Sequence, residues 1–193
     1  MSTDPHRSRK EKNIILTGFM GVGKTTIGQH IAQKLNRPFI DADQEIEKLH
    51  QMPVTRIFST LGEQKFREIE KDFITGLCQT ARQSVVSLGG GAFLQEAIRN
   101  VCLSTSYVVF LDLGWNAWKE RLHLLMDNRP ILQGKSLEEI EALYKARQSI
   151  YAHHHWRVNT EHLNPEAAAD KIVHTLRLAW QSDDPIAGTP ATI

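Results

Sequence analysis

The chain has 193 residues, of which 41% are hydrophobic and 23% charged, and its formal net charge is +1. This length and composition suit one globular domain with a sizeable core, and the near-neutral charge gives no electrostatic support for a nucleic-acid or membrane partner. No apolar run approaches bilayer-spanning length and the polar N-terminus lacks the apolar centre of a signal peptide, so we expect a cytoplasmic protein without membrane contact.

Apolar runs of strand length alternate with longer stretches of helical periodicity along the chain. In the first half the pattern predicts strands at 13–17, 37–41 and 84–88 and helices at 24–35, 43–50, 54–61 and 63–79. In the second half it predicts strands at 106–111 and 156–159, a loop at 127–135, and helices at 115–126, about 136–153 and about 164–180. This alternation indicates an α/β domain whose mostly parallel sheet is covered by helices on both faces. We expect one domain over 13–181, flanked by disordered segments at 1–12 and 182–193.

Two of the predicted helices begin with recognisable capping residues. Ser136 and Glu139 have the spacing of a capping box. Asn164 directly precedes Pro165, which suits an N-cap residue followed by the first residue of a helix.

The two cysteines, Cys78 and Cys102, lie in partly apolar stretches without metal-site spacing. This pattern favours reduced thiols in the core over a disulfide and agrees with a cytoplasmic location. No segment marks an oligomerisation surface, so we expect a monomer.

The stretch GFMGVGKT at 18–25 lies between a predicted strand and a predicted helix. This is the context of the phosphate-binding P-loop, in which backbone N–H groups and a helix N-terminus form a nest for oxygen anions. Lys24 would contact the distal phosphates, and Thr25 would offer a hydroxyl to Mg²⁺. P-loops serve kinases, motor ATPases and switch GTPases alike, so other residues must decide the reaction.

Asp41 and Asp43 close the second predicted strand, in the sequence DAD. Alternation along a strand points both side chains the same way, toward the sheet edge where ligands bind in open α/β folds. One carboxylate would orient the water shell of a metal ion, and the other would accept a proton from an attacking hydroxyl. The alternative is that Asp43 is only the N-cap of the next helix.

Further motifs follow in the order FREIE, GGG, NRP and ARQSIY. Arg67 lies on a helix with an apolar face, and the glycines at 89–91 indicate a close approach to the backbone after a buried strand. Arg129 lies in the loop at 127–135, where it could close over transferring phosphate. Arg147 shares a helix face with Tyr144 and Tyr151.

The ordered set GFMGVGKTT, DAD, FREIE, GGG, NRPIL and ARQSIY resembles the shikimate kinase family over almost the whole chain. The resemblance implies a fold like that of the nucleoside monophosphate kinases, with a five-stranded parallel sheet and a mobile lid. It also implies transfer of the γ-phosphoryl group of ATP to the 3-hydroxyl of shikimate, on the route to the aromatic amino acids, with Mg²⁺ as cofactor.

The resemblance also implies a role for each motif residue. Shikimate would be bound by Asp43, Arg67, Gly90 and Arg147, and catalysis would rest on Asp43 as base with Lys24 and Arg129. ATP would be bound by Gly21, Val22, Gly23, Lys24, Thr25, Thr26, Arg129 and Asn164. Thr25 would hold Mg²⁺ directly, and Asp41 would hold it through water.

Some residues depart from the family pattern or allow a second interpretation. Leu122 occupies the position of the family's adenine-stacking arginine, and Arg121 is the nearest arginine. Asp112 ends a hydrophobic strand and resembles the metal-binding acid of other P-loop enzymes. The run 153–155 consists of histidines, and we expect solvated rings at a helix end because consecutive helical residues do not share a face.

Two other functions are weighed against the first. Another small-metabolite kinase of the same fold, such as gluconate kinase, would lack the glycine triplet combined with Arg67 and Arg147. A nucleotide-binding module without turnover would have lost catalytic residues, whereas Lys24, Asp43 and Arg129 are all present.

Overall fold

The computed structural model describes residues 9–125, 130–132, 134–181 and 191–193. The strands are β1 (Ile14–Thr17), β2 (Phe39–Asp41), β3 (Val85–Ser87), β4 (Tyr107–Asp112), β5 (Trp156–Asn159) and β6 (Ala191–Thr192). The α-helices are α1 (Lys24–Leu35), α2 (Ala42–His50), α3 (Val54–Thr80), α4 (Glu96–Thr105), α5 (Trp115–Glu120), α6 (Leu137–Tyr151) and α7 (Pro165–Gln181). Short 3-10 turns lie at Arg9–Glu11, Ala92–Leu94, Leu122–Leu124 and Pro130–Leu132.

The strands form one parallel sheet in the order β2-β3-β1-β4-β5-β6. Every residue of β1 is buried, as expected for a central parallel strand covered on both faces. The α/β prediction is confirmed, whereas the prediction of five strands is wrong by one. The sixth strand, Ala191–Thr192, lies inside the segment predicted to be disordered, and its first residue donates from its backbone N–H to the carbonyl of His155.

The helices follow the predicted pattern with three differences. The helices predicted at 54–61 and 63–79 are the two halves of α3, which is interrupted at Gly62 with φ of 84°. Helix α4 was not predicted, because only Ile98 and Cys102 are fully buried in it and its other apolar residues do not extend a clear helical stripe. Helix α5 ends at Glu120, short of the predicted 126, and a 3-10 turn follows it.

The predicted caps and cysteine state are confirmed. Ser136 Oγ accepts from the N–H of Glu139, and the Glu139 carboxylate accepts from the N–H of Ser136. Asn164 Oδ1 accepts from the N–H of Ala167 at 2.7 Å. Cys78 and Cys102 are buried free thiols with their sulfur atoms 3.9 Å apart.

The apolar core is divided into two clusters. The main cluster surrounds the sheet, and a smaller one consists of Ile46, Ile57 and Phe66 on α2 and α3. This small cluster packs α2 against both halves of α3, close to the interruption at Gly62. Across the described residues, no helix is long and apolar enough to span a membrane.

The prediction of solvated histidines at 153–155 is wrong for two of the three rings. The ring of His154 stacks on Phe110 at a centroid distance of 5.7 Å. His155 Nδ1 accepts from the backbone N–H of Val108, near the start of β4, at 2.9 Å. Burial, with Lys12 and His154 nearby, lowers the pKa of His155 to about 4.

We predict that His155→Asn flattens the acid dependence of stability, because the asparagine oxygen can replace the ring nitrogen as acceptor without titrating. The unfolded histidine takes up a proton near its ordinary pKa of 6.5, but the folded one does so only near 4, so the folded state loses stability as the pH falls through this window. The loss is on the order of 2 kcal/mol. Urea unfolding between about pH 7 and pH 4 measures it. His153→Asn is the matched control, and an unchanged slope in the His155 variant would contradict the assignment.

Candidate active site

A cavity of about 760 Å³ lies at the carboxyl ends of β1, β2 and β3. Ligands bind at this edge in open α/β sheets because the loops leaving the strands converge there. The loop from β1 to α1, the start of α2, helix α3, the glycines after β3, and Arg147 of α6 line the cavity.

The loop between β1 and α1 has the backbone of a phosphate nest. Gly21 and Gly23 have φ of 76° and 98°, values that side-chain-bearing residues rarely adopt. Lys24 is 8% exposed, and its Nζ donates to the carbonyls of Gly18 and Phe19 at 2.9 Å each. The loop therefore places a cation and a helix N-terminus on the cavity wall, where an anion would be stabilised.

Thr25 and Asp41 are in direct contact beside this loop. Thr25 Oγ1 donates to Asp41 Oδ2 at 2.8 Å, while Asp41 Oδ1 accepts from the N–H of Gln44 at 3.3 Å. Asp41 is therefore the N-cap of α2, so the capping role considered for Asp43 belongs to Asp41. Asp43 lies in the first turn of α2 and lines the cavity.

The glycine triplet at 89–91 lies against two charged side chains. A Cβ on Gly89 would lie 2.5 Å from Asp43 Oδ1, and a Cβ on Gly91 would lie 2.6 Å from Arg67 Nη2. The absence of side chains at these positions therefore makes room for the carboxylate and the guanidinium group. This explains physically why Gly89 and Gly91 follow a buried strand.

Arg67 is held in place by carboxylates and aromatic rings. Its Nη1 donates to Glu70 at 2.7 Å and its Nη2 to Glu63 at 3.3 Å. The centroids of the Phe58 and Phe66 rings lie 5.5 and 5.3 Å from its guanidinium carbon. Such contacts restrict the orientation of the group toward the cavity.

Arg147 reaches the same cavity from α6. It is 7% exposed, and its Nη1 donates to the carbonyl of Gly90 at 3.2 Å. Its guanidinium carbon lies 5.6 Å from the centroid of the Phe19 ring. Two arginines from separate helices thus line one cavity whose wall also carries Asp43 and the phosphate nest.

Comparison with known proteins identifies the family. The shikimate kinase family model matches residues 20–177. The shikimate kinase of Oceanobacillus iheyensis is 52% identical over 176 residues, which cover 91% of this chain and 96% of that protein. The chain belongs to the shikimate kinase family.

Other members of the family show the same relation. The shikimate kinase of Bacillus subtilis is 50% identical over 177 residues, 92% of this chain and 95% of that protein. The solved structure of shikimate kinase from Acinetobacter baumannii in complex with shikimate has a TM-score of 0.82 at 31% identity, covering 90% of this chain and 97% of that chain.

The structure brings most of the residues implied by the family resemblance to this cavity. Its lining includes Gly21, Gly23, Lys24, Thr25, Thr26, Asp41, Asp43, Arg67, Gly90 and Arg147. Among the described residues, Val22 is buried in the core and Asn164 caps α7, so neither is part of this lining. Arg129 lies outside the described residues. Ile131, from the loop predicted to act as a lid, lines the cavity.

Asp112, considered as a metal-binding acid, is engaged by a neighbouring strand. Its Oδ2 accepts from Arg157 Nε at 3.0 Å and also from Arg157 Nη2. This charge-assisted pair gives Asp112 a structural role between β4 and β5. Arg121 follows α5 as its C-cap residue.

Among the residues that sequence reasoning missed are Glu70, which lines the cavity, and Gln95, which contacts Glu70. Glu70 is 1% exposed, and its Oε2 accepts from both Arg67 Nη1 and Gln95 Nε2. Burial raises the pKa of Glu70 above its ordinary value, and the neighbouring Arg67 partly offsets that rise. The signal was available for Glu70, because an acid three residues after Arg67 on an apolar helix face implies a buried pair. Gln95 lies 25 residues away from Glu70 and left no local signal.

We predict that Gly91→Ala destabilises the protein by about 1–3 kcal/mol, because the new Cβ displaces Arg67 and leaves Glu70 without its cationic partner. The effect should grow as the pH rises through the raised pKa of the folded glutamate, because Glu70 ionises beside Arg67 in the unsubstituted protein but resists ionisation once that cation is displaced. Chemical unfolding at acidic and alkaline pH measures it.

The matched control is Gly76→Ala, because no heavy atom lies within 4 Å of its added Cβ. Alanine in a helix interior should stabilise the protein by up to about 1 kcal/mol, independently of pH. A similar gain in the Gly91 variant would contradict the proposed steric role.

Proposed function

We propose that the cavity binds shikimate and ATP together and transfers the γ-phosphoryl group of ATP to the 3-hydroxyl of shikimate. The observation that carries the proposal is the convergence of Arg67, Arg147 and Asp43 on the cavity that contains the P-loop. If the two arginines hold the carboxylate of shikimate, a hydroxyl group of its ring can face the phosphates of ATP on the P-loop. The shikimate-bound relative supports the choice of acid.

The substrate carboxylate would be held by Arg67 and Arg147. Guanidinium groups offer planar pairs of N–H donors that match a carboxylate, and each charge-assisted hydrogen bond contributes about 1.5–3 kcal/mol. The backbone of Gly90 would approach the ring of shikimate closely, because glycine carries no side chain.

Asp43 would act as the general base. Its carboxylate would accept the proton of the 3-hydroxyl as that oxygen bonds to the γ-phosphorus, and the bond from this phosphorus to the bridging β,γ-oxygen would break to release ADP. This role is supported by the position of Asp43, whose carboxylate lies against Gly89 and interacts electrostatically with Glu70.

ATP phosphates would lie on the P-loop, bound by Gly21, Val22, Gly23, Lys24, Thr25 and Thr26, with Asn164 on the adenine side. Thr25 and Asp41 are oxygen donors 2.8 Å apart on the cavity wall, which fits the few oxygen ligands that Mg²⁺ takes from proteins beside a nucleotide. Thr25 would hold the ion directly and Asp41 through water, and the ion would neutralise phosphate charge.

Arg129 is proposed to reach the transferring phosphate from a lid at 127–135, which would exclude water on closure.

We also propose that the protein is a cytoplasmic monomer without nucleic-acid or membrane partners. The exposed large hydrophobic residues of the described chain, Leu49, Leu61, Ile131, Leu137 and Leu178, are distributed over several elements. Sedimentation analysis tests the monomer.

We predict that Asp43→Asn abolishes turnover while ATP still binds, because the amide cannot accept the proton but leaves the P-loop unchanged. ADP release with shikimate measures turnover, and calorimetry measures ATP binding. Asp170→Asn is the control, since Asp170 pairs with Lys34 on the surface. Near-normal turnover in the Asp43 variant would show that Asp43 is not the base. ADP release by the unsubstituted protein with gluconate in place of shikimate tests the alternative substrate.

We predict that Arg147→Lys weakens shikimate binding about tenfold or more, which corresponds to the loss of about one charge-assisted hydrogen bond. ATP binding should change much less. Direct titration with each ligand measures both affinities. Arg82→Lys is the control, because Arg82 precedes β3 at the opposite end of the sheet. Equal weakening of the two ligands would contradict the assignment of Arg147 to the carboxylate.

A further inference from the structure

The carbonyl oxygen of Gly90 accepts two hydrogen bonds from helix α6. Arg147 Nη1 donates at 3.2 Å and the Tyr151 hydroxyl at 2.7 Å. The two donors are four residues apart in the sequence, so they project from one face of the helix. Arg147 lines the cavity, whereas Tyr151 is 1% exposed and lies behind it.

Tyr151 is a rigid and permanent donor. Its ring stacks on Phe110 of β4 at a centroid distance of 5.6 Å and an interplanar angle of 20°. Burial raises the pKa of Tyr151 to about 12, so the hydroxyl keeps its proton at any working pH. The shorter hydrogen bond to Gly90 therefore comes from a group that touches neither ligand in the proposed arrangement.

The glycine triplet contacts all three side chains that are proposed to bind the acid substrate. Gly89 lies against Asp43 and Gly91 against Arg67, while the carbonyl of Gly90 fixes one nitrogen of Arg147. A shift of this short segment would therefore displace all three side chains. The structure shows Tyr151 joining α6 to the middle of the segment.

We propose that Tyr151 is a positioning residue for the acid substrate: it fixes the Gly90 carbonyl and, through it, the guanidinium group of Arg147. This inference rests on the proposed function and extends it to a residue outside the cavity. Tyr151 should therefore affect binding of the acid substrate and not binding of ATP. In the part of the chain that the structure describes, its hydrogen bond and ring contact are with Gly90 and Phe110, and neither residue belongs to the P-loop.

The test compares Tyr151→Phe with Tyr144→Phe. Tyr144 lies on the same helix, and its hydroxyl also donates to a backbone carbonyl, that of Leu113 at 2.9 Å, but Tyr144 does not line the cavity. Each change removes one buried hydroxyl and keeps the ring, so both variants should fold with similar losses of thermal stability. Steady-state kinetics then give KM for shikimate and for ATP, together with kcat.

We expect Tyr151→Phe to raise KM for shikimate about fivefold with little change in KM for ATP, and Tyr144→Phe to change neither. In the background Arg147→Lys, the effect of Tyr151→Phe on shikimate affinity should shrink, because both changes act on one contact. An unchanged KM for shikimate, an equal rise for ATP, or full additivity with Arg147→Lys would each overturn the proposal. Absence of shikimate phosphorylation in the unsubstituted protein would instead refute the proposed function, so the two failures are distinguishable.

Discussion

The close approach of charged side chains to the backbone at 89–91 is the constraint on which the candidate site depends. Asp43 and Arg67 occupy the space that side chains at Gly89 and Gly91 would fill, and the carbonyl between them anchors Arg147 and Tyr151. Groups from α2, α3 and α6 are thereby held against one short segment that leaves β3. The parallel sheet places this segment beside the P-loop, because both follow neighbouring strands at the same edge.

The electrostatics of the site follow from this crowding. A buried carboxylate is costly unless a cation and a further donor satisfy it, and Glu70 has both in Arg67 and Gln95. The pair leaves Arg67 oriented beside two aromatic rings. Because Arg67 is oriented before binding, the side chain loses less entropy when a ligand binds, so a small acid can be held by few contacts.

Much of the fold and the motif residues could be predicted from the sequence, because local chemistry encodes them. The P-loop needs glycines with positive φ and a lysine at fixed spacing, and the caps at Ser136 and Asn164 are readable from adjacent residues. Long-range contacts left no such signal. Gln95 reaches Glu70 from the position just before α4. Asp41 rather than Asp43 caps α2 because the helix begins at Ala42, directly after β2.

The sixth strand and helix α4 were missed for related reasons. Ala191–Thr192 is too short to show periodicity, and its pairing with β5 depends on where the sheet ends. The buried face of α4 consists of two residues, one of them Cys102 in contact with Cys78 of α3. Tertiary packing, rather than intrinsic propensity, determines such elements.

A crystal structure with shikimate and ADP bound tests the central claim most directly. We predict that the shikimate carboxylate lies within hydrogen-bonding distance of both Arg67 and Arg147, with the 3-hydroxyl directed toward Asp43 and the phosphates on the loop before α1. An acid bound elsewhere, or guanidinium groups turned away from it, would contradict the account.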